Sequence, residues 1–117
     1  MHETSVVHSL IELIRESLAG GDVARVACVR VNVGPLSGVE PAALRFAWAA
    51  VSPEALGPTA ELELVTGPVL AWCRACEAER EVASVQRVVC PVCGAPTPDL
   101  LTGRELELES IELSTTE

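Results

Sequence analysis

Four of the five cysteines in this 117-residue chain form two short pairs, and their spacing constrains the fold more than any other feature. The pairs are Cys73–Cys76 and Cys90–Cys93, and two residues separate the cysteines within each. Thirteen residues lie between the pairs, which is close to the spacing of a four-cysteine zinc site. Two intervening residues let the chain turn so that both sulfurs reach one tetrahedral ion. The sequence therefore predicts zinc bound by Cys73, Cys76, Cys90 and Cys93.

Four protein ligands would close the coordination shell and leave no position where water could be activated. We therefore expect the zinc to be structural rather than catalytic. Two local disulfides, four unligated thiols and an iron centre of rubredoxin type are the alternatives, and a reducing compartment disfavours the disulfides. Pro91 and Gly94 suit a tight turn at the second pair, whereas Glu77 stands where a glycine would ease the first.

The charge of the chain disfavours several classes of partner. Seventeen acidic residues face eight basic ones, all arginine, which gives a net charge of -9 that repels phosphate backbones. The cysteine segment lacks the basic stripe and stacking aromatics of a nucleic-acid reader. No long apolar stretch occurs, and the amino terminus is too charged for a signal peptide. We expect a cytoplasmic protein that binds neither nucleic acid nor membranes.

Hydrophobic periodicity predicts two helices and three strands around the cysteine segment. In chain order they are a helix at 4–19, a strand at 25–33, a helix at 40–51 that Pro53 ends, and strands at 60–66 and 104–113. The last strand changes the parity of its apolar residues, and a bulge near Glu109 and Ser110 would absorb the change.

This order of elements predicts an α+β fold, with two helices packed on a small three-stranded sheet and an inserted zinc-ribbon-like four-cysteine domain. We expect residues 1–68 and 101–117 to form the α+β domain and residues 69–100 to form the insertion. Proline and glycine lie at both joints, which would also permit a homodimer formed by exchange of the insertion.

The amino terminus holds a second candidate metal site at His2. An amino-terminal amine, the amide nitrogen of residue 2 and its imidazole can form fused chelate rings around square-planar nickel(II) or copper(II). Histidine at position 2 is also too bulky for efficient removal of Met1, so the amine should stay beside it. Alone this is weak evidence, because a histidine next to the initiating methionine is usually an accident.

Four stretches in the same order, spanning essentially the whole chain, together resemble the HypA/HybF family of accessory proteins for hydrogenase nickel insertion. They are Met1-His2-Glu3 before an amphipathic helix, Gly34–Val39 followed by Ala43–Phe46, the two cysteine pairs, and Gly103–Glu112.

The resemblance implies a nickel metallochaperone with a nickel-binding α+β domain and an inserted zinc domain. Such a protein passes nickel, with a partner GTPase, to the precursor of the hydrogenase large subunit during [NiFe]-hydrogenase maturation. The implied nickel ligands are the Met1 amine, the His2 imidazole and the backbone nitrogens of His2 and Glu3. The Glu3 side chain would tune the site or contact a partner.

We expect no enzymatic activity, because the sequence lacks a nucleophile with its base, a phosphate-cradling loop and a dinucleotide fingerprint. The alternative to a metallochaperone is a zinc-ribbon adaptor that bridges other proteins without binding nickel. His8 is expected to be a solvated residue that could assist nickel, and Cys28 a buried or half-buried structural thiol.

Overall fold

Two α-helices and six strands form the regular structure of residues 2–18, 21 and 23–114, which are the residues that the computed structural model describes. In chain order the elements are α1 (Glu3–Leu18), a short 3-10 helix (Val23–Arg25), β1 (Val26–Val33), α2 (Pro41–Leu56), β2 (Glu61–Val65), β3 (Leu70–Cys73), β4 (Ala78–Glu81), β5 (Asp99–Leu100) and β6 (Leu106–Leu113).

The chain divides into two compact units. The larger comprises Met1–Asn32, Val39–Val65 and Glu107–Glu117, and the smaller comprises Val33–Gly38 and Thr66–Leu106. The smaller unit includes Val33–Gly38, which the sequence analysis assigns to the α+β domain. The domain boundaries given there stay a prediction.

The larger unit contains a three-stranded sheet in the order β2-β1-β6. Strands β1 and β2 are parallel, with Val29 opposite Leu62 and Val31 opposite Leu64, and α2 connects them. The N–H of Ser114 donates to the carbonyl of Arg25 at 2.7 Å. Ser114 follows the end of β6 and Arg25 precedes the start of β1, so β6 runs antiparallel to β1. A helix-connected parallel pair with an antiparallel edge strand confirms the predicted α+β class.

The core of the larger unit comes from one face of each element. Helix α1 buries five residues at helical spacing, which are Val6, Val7, Leu10, Ile11 and Ile14. Strand β1 buries Val29 and Val31 in this unit and exposes Arg30 between them, as an alternating strand does. On α2, the buried Trp48 donates from Nε1 to the carbonyl of Ala60 at 3.0 Å, so its one polar atom is satisfied inside the core.

Helix α2 starts as predicted but ends later. Glu40 is its N-cap and accepts from the Ala42 N–H at 3.0 Å, and Pro41 follows at the first helical position. The prediction that Pro53 ends the helix is wrong, because α2 continues to Leu56. Proline deprives only the carbonyl four residues earlier of its donor, and that residue, Ala49, is exposed to water. The Gly57 N–H then donates to the Pro53 carbonyl at 3.0 Å and closes the last turn.

The smaller unit has its own antiparallel sheet, in the order β4-β3-β5, which the sequence analysis did not predict. Val69, Ala71 and Val82 form its buried cluster, with Leu36 and three other apolar residues packed against them. Gly34 and Gly103 cross so closely that a Cβ on Gly34 would overlap the Gly103 carbonyl. Glycine at position 34 therefore lets the segment that carries Leu36 reach this core.

Candidate metal centres

The sulfurs of Cys73, Cys76, Cys90 and Cys93 converge, and all four lie within 4.8 Å of one another. Cys73 Sγ is 3.7 Å from Cys93 Sγ, and Cys76 Sγ is 3.9 Å from Cys90 Sγ. A regular tetrahedron of sulfurs about 2.3 Å from a central ion has edges of about 3.8 Å. A disulfide would need about 2.05 Å, and all five cysteines are free. The four thiols therefore fit a single tetrahedral metal ion and not two local disulfides.

Backbone N–H groups orient the sulfurs in both cysteine pairs. Cys76 N–H points at Cys73 Sγ, and Cys93 N–H points at Cys90 Sγ, each at 3.4 Å. In the second pair Val92 N–H adds another such contact, also at 3.4 Å. Such donors favour the thiolate form that binds metal, and those from Cys93 and Val92 lower the pKa of Cys90 to about 6.

The residue after each pair turns the chain through the left-handed region. Gly94, after Cys93, has φ +77°, and Glu77, after Cys76, has φ +52°. Among the residues that the structure describes, Glu77 alone adopts a positive φ without being a glycine. The expectation that a glycine would ease the first turn is therefore confirmed, since a side chain in this region costs about 1–2 kcal/mol.

The burial of the four cysteines is uneven. Cys73 and Cys90 are fully buried, Cys76 is half-buried and Cys93 is exposed.

An ion pair links the first cysteine pair to β5. Arg74, between Cys73 and Cys76, binds both carboxylate oxygens of Asp99 at 2.5 and 2.7 Å. Hydrogen bonding to Arg74 lowers the pKa of the Asp99 carboxyl. The ion pair thus ties the first turn to β5.

The structure describes the predicted nickel site only in part, because Met1 lies outside the described residues. His2 is exposed and directly precedes α1, whose first hydrogen bond runs from Val6 N–H to the His2 carbonyl at 3.1 Å. The Glu3 carboxylate accepts from the Glu40 N–H at 3.4 Å. Its pKa is lowered by a hydrogen bond from its own N–H and by the one from Glu40. The sequence analysis missed this link to Glu40, although Glu40-Pro41 signals the start of a helix.

His8 and Cys28 lie in different settings. His8 is exposed and lines a groove of about 410 Å³ between α1 and α2, together with residues that include Glu12 and Glu54. Cys28 is half-buried, as expected, with its sulfur 3.9 Å from Glu63 Oε2. Burial, and then the charge of Glu63, raises the pKa of the Cys28 thiol. Assistance of His8 in nickel binding stays a prediction.

The fold and the four sulfurs define a small α+β metal-binding protein. Residues 1–113 match the family model described as "Hydrogenase/urease nickel incorporation, metallochaperone, hypA". The chain therefore belongs to the HypA family of nickel-incorporation metallochaperones, and the resemblance inferred from the sequence is confirmed. Among the described helices, none is both long and apolar enough to cross a membrane.

Known proteins resemble the chain over nearly its full length. The hydrogenase maturation factor HypA of Roseiflexus sp. (strain RS-1) is 38% identical over 112 residues, which cover 96% of this chain and 91% of that protein. The HypA of Azotobacter chroococcum mcd 1 is also 38% identical, over 97% and 99% of the two chains. The solution structure of the nickel metallochaperone HypA from Helicobacter pylori superimposes with a TM-score of 0.67 at 27% identity, covering 99% of this chain and 100% of that one.

Proposed function

We propose that this chain carries nickel(II) as cargo at its amino terminus and delivers it, with a partner GTPase, to the hydrogenase large-subunit precursor in the cytoplasm. The Met1 amine, the His2 imidazole and the backbone nitrogens of His2 and Glu3 bind the ion. Cys73, Cys76, Cys90 and Cys93 hold a resident zinc ion, which stabilises the smaller unit. Membership in a nickel-incorporation family over residues 1–113 is the observation that carries the proposal.

The local structure around His2 supports the amino-terminal site. The His2 side chain is exposed, so its imidazole can turn toward the chain end without leaving a packed position. Glu3 begins α1, and the first N–H groups of a helix have no acceptor within the helix. The Glu3 amide can therefore lose its proton to bind nickel without breaking a helical hydrogen bond, and gives up only its contact with the Glu3 carboxylate.

The Glu3 side chain is engaged elsewhere. Its carboxylate accepts from the Glu40 N–H, which joins the first residue of α1 to the N-cap of α2. We infer that Glu3 holds the amino terminus against α2 and contributes its backbone nitrogen, rather than a carboxylate oxygen, to nickel. This contact supports a tuning role for the Glu3 side chain.

The donor set supports zinc as the resident metal. Four thiolates in a tetrahedron suit zinc or iron, because soft sulfur ligands select such ions over magnesium or calcium. Zinc stabilises a fold without redox chemistry, and a closed set of four sulfurs leaves no open position. Metal analysis of the purified protein decides between them, since an iron centre absorbs visible light and zinc does not.

Nickel titration of tag-free protein tests the amino-terminal site. We expect a diamagnetic square-planar nickel spectrum in the native chain and its loss in His2→Ala, with unchanged zinc content. Glu16→Ala is the control, because Glu16 is an exposed residue of α1, and His8→Ala shows whether His8 assists nickel binding. Equal nickel affinity in the native chain and His2→Ala would contradict the proposal, and absence of a square-planar nickel site from the native chain would favour the zinc-ribbon adaptor.

Transfer tests the delivery step. The nickel-loaded native chain, mixed with the partner GTPase, GTP and the large-subunit precursor, should lose nickel to the precursor, whereas His2→Ala should deliver none. Equal transfer by the two proteins would place the cargo site elsewhere.

A further inference from the structure

Arg80 lies on the face of the small sheet that carries Cys73. In the antiparallel pairing of β3 with β4, Cys73 is opposite Ala78 and Ala71 is opposite Arg80. Directly opposite residues share a face of the sheet, and so do residues two apart on one strand. Arg80 therefore projects from the same face as Cys73, whereas Trp72 and Glu79 project from the other.

The guanidinium of Arg80 is directed at the cysteine cluster. Hydrogen bonding to the sulfurs of Cys76, and then of Cys90, raises its pKa. Its Nε atom is buried and has no hydrogen-bond partner among the residues that the structure describes. Cysteine sulfurs are therefore the acceptors beside this guanidinium, and they leave Nε itself unpaired.

Some of the other arginines pair with carboxylates, and Arg25 and Arg45 donate to backbone carbonyls. Arg30 binds Glu63 at 2.8 Å and Arg74 binds Asp99 at 2.5 Å. Within the described part of the chain, Arg80 forms no such ion pair. An arginine is always charged, and a partly buried cation without an anionic partner is costly. Four thiolates around a divalent ion carry a net charge of about -2 and supply that partner.

We propose that Arg80 is a positioning residue of the four-cysteine centre, where its guanidinium donates to Cys76 and Cys90, offsets part of the thiolate charge and strengthens metal retention. Arg80 approaches the half-buried and buried sulfurs, Cys76 and Cys90, while Cys93 is the exposed sulfur of the set. The proposal rests on the assignment of these cysteines as a metal centre. Outer-shell partners of this kind typically change metal affinity about 10- to 100-fold.

Variants of the full chain test the role of Arg80. Arg80→Gln removes the charge, Arg80→Lys keeps the charge but lacks the planar fork, and Arg87→Gln removes an exposed arginine of the same unit as the matched control. Zinc affinity is measured by competition with a chromophoric chelator. Cobalt(II) loading then reports on the sulfurs directly, because the energy of the sulfur-to-cobalt charge-transfer band depends on hydrogen bonds to the thiolates.

We expect Arg80→Gln to bind zinc roughly 10-fold or more weakly. Its charge-transfer band should move to longer wavelength, because the sulfur electrons lose a stabilising donor. Arg80→Lys should fall between native and Arg80→Gln, and Arg87→Gln should match the native chain. The band is read at saturating cobalt, so a general loss of stability does not imitate the shift. If Arg80→Gln does not fold, Arg80→Lys decides alone. A native-like zinc affinity and charge-transfer band in Arg80→Lys overturn the proposal, and a weakened affinity with a shifted band supports it.

The outcomes separate the two proposals. Zinc affinity within about two-fold of native in Arg80→Gln, with an unmoved band, overturns the role of Arg80 and leaves the metal centre standing. A native chain that binds neither zinc nor cobalt at the four cysteines overturns both.

Discussion

The two candidate metal centres of this chain are built in opposite ways. The four-cysteine centre takes its sulfurs from two segments thirteen residues apart, and the fold has already brought them within 4.8 Å of one another. The proposed nickel centre uses three consecutive residues at the chain end, where His2 is exposed and Glu3 begins α1. The first centre is a property of the tertiary structure, whereas the second depends on where the chain starts.

This difference predicts opposite couplings to folding. Metal binding at a site assembled from distant segments stabilises the folded state, because the site does not exist in the unfolded chain. For structural zinc in small modules this stabilisation is on the order of 10 kcal/mol. A chelate of adjacent backbone atoms constrains little else. The two centres therefore suit a retained metal and a transferred metal, respectively.

The largest expected effect follows removal of the metal from the four-cysteine centre. Trp72 lies beside Cys73 in β3, and Trp48 is buried in the core of the larger unit, so each reports on one unit. A strong zinc chelator should change Trp72 emission in a Trp48→Phe variant and leave Trp48 emission in a Trp72→Phe variant nearly unchanged. Unchanged Trp72 emission after complete metal removal would show that this centre does not stabilise its unit.

A smaller effect should distinguish the two turns of the four-cysteine centre. Gly94→Ala forces a side chain to φ +77° and should destabilise the zinc-loaded protein by about 1–2 kcal/mol. Glu77→Gly relieves a side chain at φ +52° and should stabilise it by at most about 1 kcal/mol, because glycine also gains freedom in the unfolded chain. Denaturant unfolding measures both, and destabilisation by both substitutions would refute the asymmetry.

The smallest effect is expected at the amino terminus. Glu3 has a lowered pKa in the folded chain, so its contribution to stability is present above the ordinary glutamate pKa and is lost as the pH falls through the lowered value. Glu3→Gln should therefore lower the unfolding temperature slightly at pH 7 and by less at pH 3, when unfolding is followed through Trp48 in Trp72→Phe. Glu16→Gln, an exposed residue of the same helix, is the control. An equal effect of Glu3→Gln at both pH values would exclude an ionised Glu3 contact.

Much of the larger unit follows from its sequence because its elements are long and periodic. The five buried residues of α1 and the alternation of β1 repeat at the expected intervals. Near Glu109 and Ser110, where the parity changes, both residues are exposed between half-buried neighbours, although the bulge itself stays a prediction. The predicted end of α2 was wrong because the one carbonyl that Pro53 leaves without a donor belongs to Ala49, which is exposed to water.

The smaller unit was less predictable for a physical reason. Strands β3, β4 and β5 have four, four and two residues, too few for a periodic signal. Cysteine spacing nevertheless predicts which sulfurs converge, because a C-x-x-C turn fixes local geometry. The sequence did not indicate Arg80, because its position on the face that carries Cys73 depends on the pairing of β3 with β4. The link between Glu3 and Glu40 likewise joins residues 37 apart.

Nickel and zinc counted in one sample test the central claim that the chain end itself is the cargo site. Native tag-free protein is compared with a chain that carries Gly-Ser-Gly-Ser before Met1, an extension long enough to keep the histidine out of the third position, where it could form a similar chelate. We predict that both proteins retain zinc at the four cysteines and that only the native chain binds nickel in square-planar form. Equal square-planar nickel binding by the extended chain would contradict the account.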